Sequence, residues 1–329
     1  MNDNMRVLIA YDGSSCADAA LADLQRAGLP RFGVEATVIS VAEVWLPPPP
    51  PSIHEVVELA QAAETPADLR KRYSETSSQA EEARTLSLRA QKRLRQNFPE
   101  WSILAEATTG SPAWEVILKA DQWKPDLIVV GSQGRSAFGR FVLGSVSQKV
   151  LTEARSSVRV ARGRVEVEES PVRIIIGVDG SPGCEAAVRQ VARRLWPHGS
   201  EARVVVVVED PLVPTAIGRL VPPVTKWVEE SNRVDRAWVR RIADKAVETL
   251  RSGELNASPV IREGDPKRVL IEEAETWGAD CIFVGSTGFG NRFERFLLGS
   301  ISAAVAARAH CSVEVVRESK VADEDTPSR

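Results

Sequence analysis

Two kinds of short motif hold the residue types in this sequence that could bind or transform a ligand. An apolar run near the start ends in Asp-Gly-Ser at Asp12, and a matching run past the midpoint ends in the same tripeptide at Asp179. Two further apolar runs end in Gly-Ser-x-Gly, beginning at Gly131 and at Gly285. Strand-end glycines let backbone N–H groups approach a ligand closely, and the free N–H groups of a helix that starts downstream favour an anion. These motifs predict a phosphate cradle facing a carboxylate that accepts a hydrogen bond from a base or a sugar.

Each half of the chain contributes one candidate site, made of the aspartate, the glycine loop and the Gly-Ser that opens the next helix. The candidates of half one are Asp12, Gly131, Ser132, Gly134, Arg135, Gly144 and Ser145, and those of half two are Asp179, Gly285, Ser286, Gly288, Gly299 and Ser300. Ser145 is expected to cap its helix, because Gln148 three residues on completes a capping-box pattern. Arg135 is a candidate to pair with phosphate, and a solvated surface charge is the alternative for it.

Structural explanations remain open for the same motifs. Asp-Gly-Ser after a strand is commonly a turn and a helix cap, and glycines at strand ends commonly form turns. The recurrence of the glycine loop in both halves favours ligand binding for that loop.

Established catalytic patterns are missing from the sequence. Gly144 is followed by Ser145, so the loop lacks the lysine of a Walker P-loop, and no complete G-x-G-x-x-G follows either first strand. No G-x-S-x-G elbow is present, and the three histidines do not recur at equivalent positions of the two halves. The sequence therefore favours binding over catalysis.

The motifs are positioned by a tandem duplication. Three landmarks recur in the same order, separated by 167 residues at the aspartates and by 154 at the later glycines. The difference of about 13 residues is an insertion in half one, assigned to the region between its second and third strands, which includes the proline run 47–51. We predict one domain at residues 1–165 and a second at 171–318.

Each half alternates between apolar strands and amphipathic helices. In half two the pattern predicts strands at 172–178, 204–208, 259–262, 281–284 and 312–316, with helices from 182, across 224–250, over 266–277 and from 300. Near-continuous apolar strands alternating with helices are typical of a parallel sheet covered on both faces. The predicted class is α/β, with two tandem doubly wound domains of five parallel strands each. Ligands of such sheets bind beyond the carboxyl ends of the strands, where strand order reverses, and the motifs lie at those ends.

Composition excludes several other classes of function. Among 329 residues, 42 Lys and Arg stand against 45 Asp and Glu, so the net charge of −3 offers no basic face for nucleic acid. The apolar runs are far shorter than the ~20 residues that span a bilayer, and no signal peptide precedes the first strand. The four cysteines have neither metal-ligand spacing nor the density of a disulfide framework. A cytoplasmic protein that contacts neither membrane nor nucleic acid is expected.

At these motifs the chain resembles the universal stress protein family in its tandem two-domain form. ATP-binding members of that family carry an aspartate at the end of the first strand and G-x2-G-x9-G-[S/T] after the fourth. Half one has this spacing from Gly131 to Ser145, whereas ten residues separate Gly288 from Gly299 in half two. We therefore expect half one to bind a nucleotide at least as well as half two.

The resemblance implies a role for each candidate residue. Asp12 and Asp179 would contact the adenosine, and the backbone of Val41 and Val208, at the ends of the second strands, would meet the adenine. The glycine loops with Ser145 or Ser300 would hold the phosphates of ATP, usually with a divalent cation such as Mg²⁺.

The resemblance also implies an assembly and a function. Each sheet would have the order 3-2-1-4-5, the fifth strands at 157–161 and 312–316 would pair the two halves internally, and a homodimer of chains could form in addition. The protein would act in stress response or signalling by binding ATP and changing conformation or partner. A non-nucleotide interaction scaffold and a slow ATPase are the alternatives.

Overall fold

The computed structural model describes residues 4–43, 66–134, 143–162, 170–208, 222–286 and 298–317, with the backbone alone for residues 66–77 and 222–235. Half one contains β1 (Met5–Ala10), α1 (Ser15–Asp23), β2 (Val34–Glu43), α2 (Pro66–Asn97), β3 (Ser102–Gly110), α3 (Pro112–Trp123), β4 (Leu127–Gly131), α4 (Ser145–Glu153) and β5 (Ser157–Ala161). Half two contains β6 (Arg173–Gly177), α5 (Pro182–Ala192), β7 (Glu201–Val208), α6 (Pro222–Ser252), β8 (Asn256–Glu263), α7 (Pro266–Trp277), β9 (Cys281–Gly285), α8 (Ser300–Arg308) and β10 (Ser312–Val316).

All ten strands form one sheet, in the order β3-β2-β1-β4-β5-β10-β9-β6-β7-β8. Within each half the neighbouring strands run parallel, and the order 3-2-1-4-5 predicted for each half is confirmed. The strands β5 and β10 pair antiparallel, with Arg159 opposite Glu314, and this pairing joins the halves. We call this junction the seam.

The central strands form because their apolar residues are covered from both faces. In β4 every residue from Leu127 to Val130 is at most 2% exposed, and the core of β6 from Ile174 to Ile176 is fully buried. Such continuous burial is what helices on both faces of a parallel sheet produce. The turn after β1 and β6 is fixed by a serine cap, since Ser14 accepts a hydrogen bond from Ala17 N and Ser181 accepts one from Cys184 N.

The two halves differ in register at their second strands. Val7 pairs with Ala36 in half one, and its equivalent Ile174 pairs with Ala202 in half two. The separation between equivalent residues is therefore 167 in the first strand and 166 in the second, so the connection between them is one residue shorter in half two.

The apolar core is shared across the seam. One cluster of buried residues contains Leu8 and Val160 of half one together with Ile175 and Val313 of half two, and a further cluster lies in each half. No helix in the described part of the chain is long and apolar enough to cross a membrane.

Candidate functional site

The structure brings Asp12 and the glycine loop of half one together. Asp12 follows β1, and its Oδ1 accepts a hydrogen bond from Ser14 N at 2.9 Å. Its second carboxylate oxygen faces the loop, since a Cβ added to Gly134 would lie 3.1 Å from Asp12 Oδ2. The carboxylate thus shapes the turn and also borders the loop, so the structural and the ligand-binding explanations of Asp-Gly-Ser are compatible.

In half two the equivalent residues line a cavity of about 220 Å³. Its polar end lies where β6 and β9 finish and α8 begins, and its apolar side is formed by β7, β9 and α7. The lining at the polar end includes Asp179, Ser181, Gly285, Gly299, Ser300 and Ser302, and the apolar side includes Val205, Val207, Leu270 and Val284. A concave apolar slot that ends in a few polar groups is the usual form of a small-molecule site.

The first glycine of each loop has a packing role. A Cβ on Gly131 would lie 3.0–3.2 Å from backbone atoms of Cys16 and Ala17, and a Cβ on Gly285 would lie 2.6–2.9 Å from backbone atoms of Gly183 and Cys184. These positions are glycine because the helix that follows the first strand contacts the end of the fourth. That contact brings the Asp-Gly-Ser turn beside the loop.

Each loop closes on itself by a backbone hydrogen bond. Gly144 N donates to Ser132 O at 2.9 Å, and Gly299 N donates to Ser286 O at 2.7 Å. Because of this bond, the N-terminus of α4 or α8 lies beside the end of the fourth strand. Two predicted site residues, Arg135 and Gly288, lie outside the described residues.

The predicted capping role of Ser145 is wrong. Helix α4 begins at Ser145, and the N-cap is Gly144, whose extended backbone (φ −62°, ψ 150°) occupies the position from which a capping side chain must come. Half two repeats this arrangement with Gly299 as the N-cap of α8 and Ser300 as the first helical residue. Both serines are exposed, so their hydroxyl groups are presented at the helix N-terminus instead of closing it.

Sequence reasoning missed two serines that hold the loops in place. Ser147 Oγ donates to Gly131 O, and Ser302 Oγ donates to Gly285 O, each at 2.6 Å. Both side chains are buried. Their signal was present in the sequence, because Gly-Ser-x-Ser recurs at 144–147 and 299–302.

A comparison with protein families supports the resemblance seen in the motifs of both halves. The model of the universal stress protein family matches residues 4–162 and again residues 172–317. The chain belongs to the universal stress protein family. A universal stress protein of Mycobacterium tuberculosis is 27% identical over 320 residues, which cover 95% of this chain and 97% of that protein. One from Mycolicibacterium smegmatis is 31% identical over 200 residues, 58% of this chain and 61% of that protein.

A solved structure shares this fold over nearly the whole chain. A universal stress protein from Archaeoglobus fulgidus superposes with a TM-score of 0.62 at 20% identity, and the match covers 96% of this chain and 99% of that one. The α/β class with two tandem domains is therefore confirmed.

Within this universal stress protein fold, the second strands of the two halves are offset by one residue, which changes the residue of half two that is equivalent to Val41. In half one, Tyr11 N donates to Ile39 O, and the equivalent bond in half two runs from Val178 N to Val205 O. Because β7 is shifted by one, the counterpart of Val41 is Val207. Val207 lines the cavity, whereas the carbonyl of Val208 accepts a hydrogen bond from Gly264 N inside the sheet. The carbonyl of Val208 therefore faces the β8 side of the sheet.

The thiol in the cavity of half two is held in its neutral form. Burial raises the pKa of Cys184 to about 11, with the neighbouring Asp179 carboxylate adding to the shift, and Cys184 Sγ lies 3.0 Å from Ser181 O. A protonated thiol is a poor nucleophile. Among the described residues no group of three His, Cys, Asp or Glu side chains could hold a metal ion.

Proposed function

We propose that each half of this universal stress protein binds an adenine nucleotide, with ATP as the ligand of choice. The observation that carries the proposal is the position of Asp12 Oδ2, 3.1 Å from where a Cβ on Gly134 would lie, because it sets a carboxylate beside the Gly131–Gly134 segment that follows β4 in half one. The same elements in half two border a cavity. Other universal stress proteins have been solved with cAMP and, from Arabidopsis thaliana, with AMP bound.

The two ends of the cavity suit the two ends of a nucleotide. Val205, Val207 and Leu270 line the apolar side, which would suit a flat base, and the Asp179 carboxylate at the polar end would accept hydrogen bonds from a ribose. Ser300 and the N-terminus of α8 are suited to the phosphates, because the helix dipole and unbonded N–H groups favour negative charge.

We propose that Mg²⁺ enters with the nucleotide. Mg²⁺ in nucleotide sites is held largely by phosphate oxygens and water, with one or two carboxylates. No group of three metal-ligating side chains is present among the described residues, so phosphate oxygens and water would supply most of the ligands. The ion would screen the phosphate charge at the loops.

Binding without rapid turnover fits the chemistry of the lining. The described residues that line the cavity of half two include one carboxylate, Asp179, and a neutral thiol, but neither histidine nor lysine. We therefore propose a cytoplasmic role in stress response or signalling, in which the bound nucleotide changes conformation or partner. The paired halves would be the working unit, and a homodimer of chains would be built from such units.

The direct test is to denature the purified protein and analyse the supernatant for adenine nucleotide by chromatography. A titration with ATP and Mg²⁺ follows on nucleotide-free protein, where ligand at about 100 times its Kd should add about 2.7 kcal/mol to the free energy of unfolding. Absence of both released nucleotide and ATP-dependent stabilisation would reject the proposal. A partner protein that then co-purifies without nucleotide would favour the scaffold instead.

The two sites can be separated with matched variants. Asp12→Ala and Asp179→Ala each remove one carboxylate, and each should abolish one class of binding in an isothermal titration. Since half one has the loop spacing of ATP-binding members, Asp12→Ala should cost at least as much total affinity as Asp179→Ala. A larger loss of affinity from Asp179→Ala would contradict the expected asymmetry between the two halves. If the wild type hydrolysed ATP and both variants abolished that turnover, the slow-ATPase alternative would be favoured.

A further inference from the structure

The centre of the seam is a pair of buried, opposite charges. Arg159 in β5 and Glu314 in β10 lie directly opposite each other, and their side chains are 1% and 0% exposed. Arg159 Nη1 donates to Glu314 Oε2 at 3.2 Å. An ion pair this deeply buried loses its hydration, so each partner depends strongly on the other.

These two residues occupy equivalent positions of the duplicated halves. Arg159 is the third residue of β5 and Glu314 is the third residue of β10. Antiparallel pairing of equivalent strands creates a local twofold axis, and this axis passes between Arg159 and Glu314. If half one paired with a second half one, Arg159 would therefore face Arg159, and two copies of half two would bring Glu314 against Glu314.

Each charge is held by a side chain of its own half. Asp23 at the end of α1 makes two bonds to Arg159, at 2.6 and 3.2 Å, and Gln190 in α5 donates to Glu314 at 2.6 Å. Asp23 and Gln190 are themselves equivalent, nine residues after the capping serines of the two halves. Arg194 adds an ion pair with Glu314 and donates across the seam to Ala27 O at 2.7 Å.

The outer parts of the seam are alike in the two halves. Arg162 Nη2 donates to Ala306 O at 2.7 Å near the end of α8, and Arg317 Nη2 donates to Leu151 O at 2.5 Å near the end of α4. The backbone N–H groups of the same arginines donate to Ser312 and Ser157. These bonds would form equally well between like halves. Among the described contacts of the seam, those of the layer that contains Arg159 and Glu314 would change between an unlike pair and a like one.

We infer that this layer selects the partner of each half by charge. Half one accepts a fifth strand with an acidic residue at its centre, as half two has, and rejects a second copy of itself. A like pair would set two Arg159 guanidinium groups, or two Glu314 carboxylates, face to face across the axis. Each would keep the partner from its own half, Asp23 or Arg194, but would lose the opposite charge across the seam and face a like charge there, which disfavours the wrong partner. Any assembly of two chains through this seam must therefore exchange halves reciprocally, half one of each chain with half two of the other.

The test uses the full chain with two charge-reversing variants. Glu314→Arg gives a chain with two basic seam strands, and Arg159→Glu gives one with two acidic seam strands. Each variant alone should have a lower thermal midpoint than the wild type. When the two are unfolded together and refolded as an equimolar mixture, they should form a heterodimer by native mass spectrometry and regain part of that midpoint. The heterodimer contains one native seam, between Arg159 of the first variant and Glu314 of the second.

Glu248→Arg is the matched control, because it makes the same charge change at an exposed residue of α6, a helix that packs against β7, β8 and α5 and not against the seam strands. Its midpoint should stay at the wild-type value, and it should form no heterodimer with Arg159→Glu. The inference is overturned if the two seam variants keep the wild-type midpoint, or if their mixture gives no heterodimer.

A second measurement distinguishes charge from packing in the intact chain. Glu314→Met and Glu314→Lys both remove the carboxylate with side chains of similar length. Selection by charge predicts a loss of thermal midpoint at least twice as large for Glu314→Lys, because a third positive group then joins Arg159 and Arg194. Equal losses for the two variants would show that the layer acts by packing alone.

Discussion

At Gly131 and Gly285 a missing side chain decides how closely a helix approaches the sheet. Alanine at either position would force the Cβ against backbone atoms, and overpacking of this kind costs about 1–3 kcal/mol. Gly285→Ala should destabilise more than Gly131→Ala, because its Cβ would come to 2.6 Å of a backbone atom against 3.0 Å. Urea unfolding monitored by circular dichroism measures both. Gly134→Ala is the control, since its nearest neighbour is a carboxylate oxygen of Asp12 and the expected loss is in nucleotide affinity.

The four cysteines should differ sharply in reactivity. Burial raises the pKa of Cys184 to about 11 and that of Cys311 to about 12, and it also raises the pKa of Cys281. Cys16 is half-buried and lies near Ser132, where the Sγ–Oγ distance is 3.8 Å. At about pH 8 a thiol reagent should therefore modify Cys16 first in the folded protein, because reaction requires an accessible thiolate. Loss of the fast phase in Cys16→Ser would support this order, whereas a fast phase retained in that variant would contradict it.

At the scale of elements, continuous apolar strands were predictable and exposed ones were not. The predicted bounds of β10 (Ser312–Val316), β5 (Ser157–Ala161) and α7 (Pro266–Trp277) agree with the structure. The strand β8 was predicted at 259–262 but runs from Asn256 to Glu263, because most of this edge strand is exposed and has no apolar run. The one-residue shift of β7 was hidden for another reason. The repeated motifs lie before and after β7 and not within it, so the pairing of β7 with β6 is needed to see that Val207 is the residue equivalent to Val41.

The site was predictable in its elements but not in its internal bonds. Asp12, Asp179, Gly131 and Gly285 lie at the strand ends where the sequence placed them. The capping role of Ser145 could not be judged from the capping-box pattern, because Gly144 also accepts an N-cap position. The ion pair between Arg159 and Glu314 could not be predicted either, because it forms only when β5 and β10 pair across the seam.

The corrected start of α4 makes a prediction about helix stability. Ser145→Ala should change the free energy of unfolding by less than about 0.5 kcal/mol, since this exposed side chain makes no cap bond. Ser181→Ala should cost about 1 kcal/mol, because it removes the acceptor of Cys184 N at the start of α5. Chemical denaturation of both variants without nucleotide makes the comparison. A larger loss of stability for Ser145→Ala than for Ser181→Ala would indicate that Ser145 does cap α4.

At the scale of the whole molecule, the two halves should unfold as one unit. A single sheet runs through both halves, and the central apolar cluster contains residues from each. Neither half can therefore unfold without exposing buried apolar side chains of the other. Calorimetry should show one transition whose calorimetric and van't Hoff enthalpies agree, which is the criterion for two-state unfolding. Two resolved transitions would show that the seam couples the halves only weakly. In that case Glu314→Arg should leave the higher transition in place.

The antiparallel pairing of β5 with β10 also sets the directions in which the molecule can be approached. All strands of one half run opposite to those of the other, and the candidate site residues of each half lie where its own strands finish. The two candidate sites therefore face away from each other, at opposite rims of the sheet. Under the proposed function, a protein that docked over one bound nucleotide would leave the other site clear, so one chain would hold two partners at once.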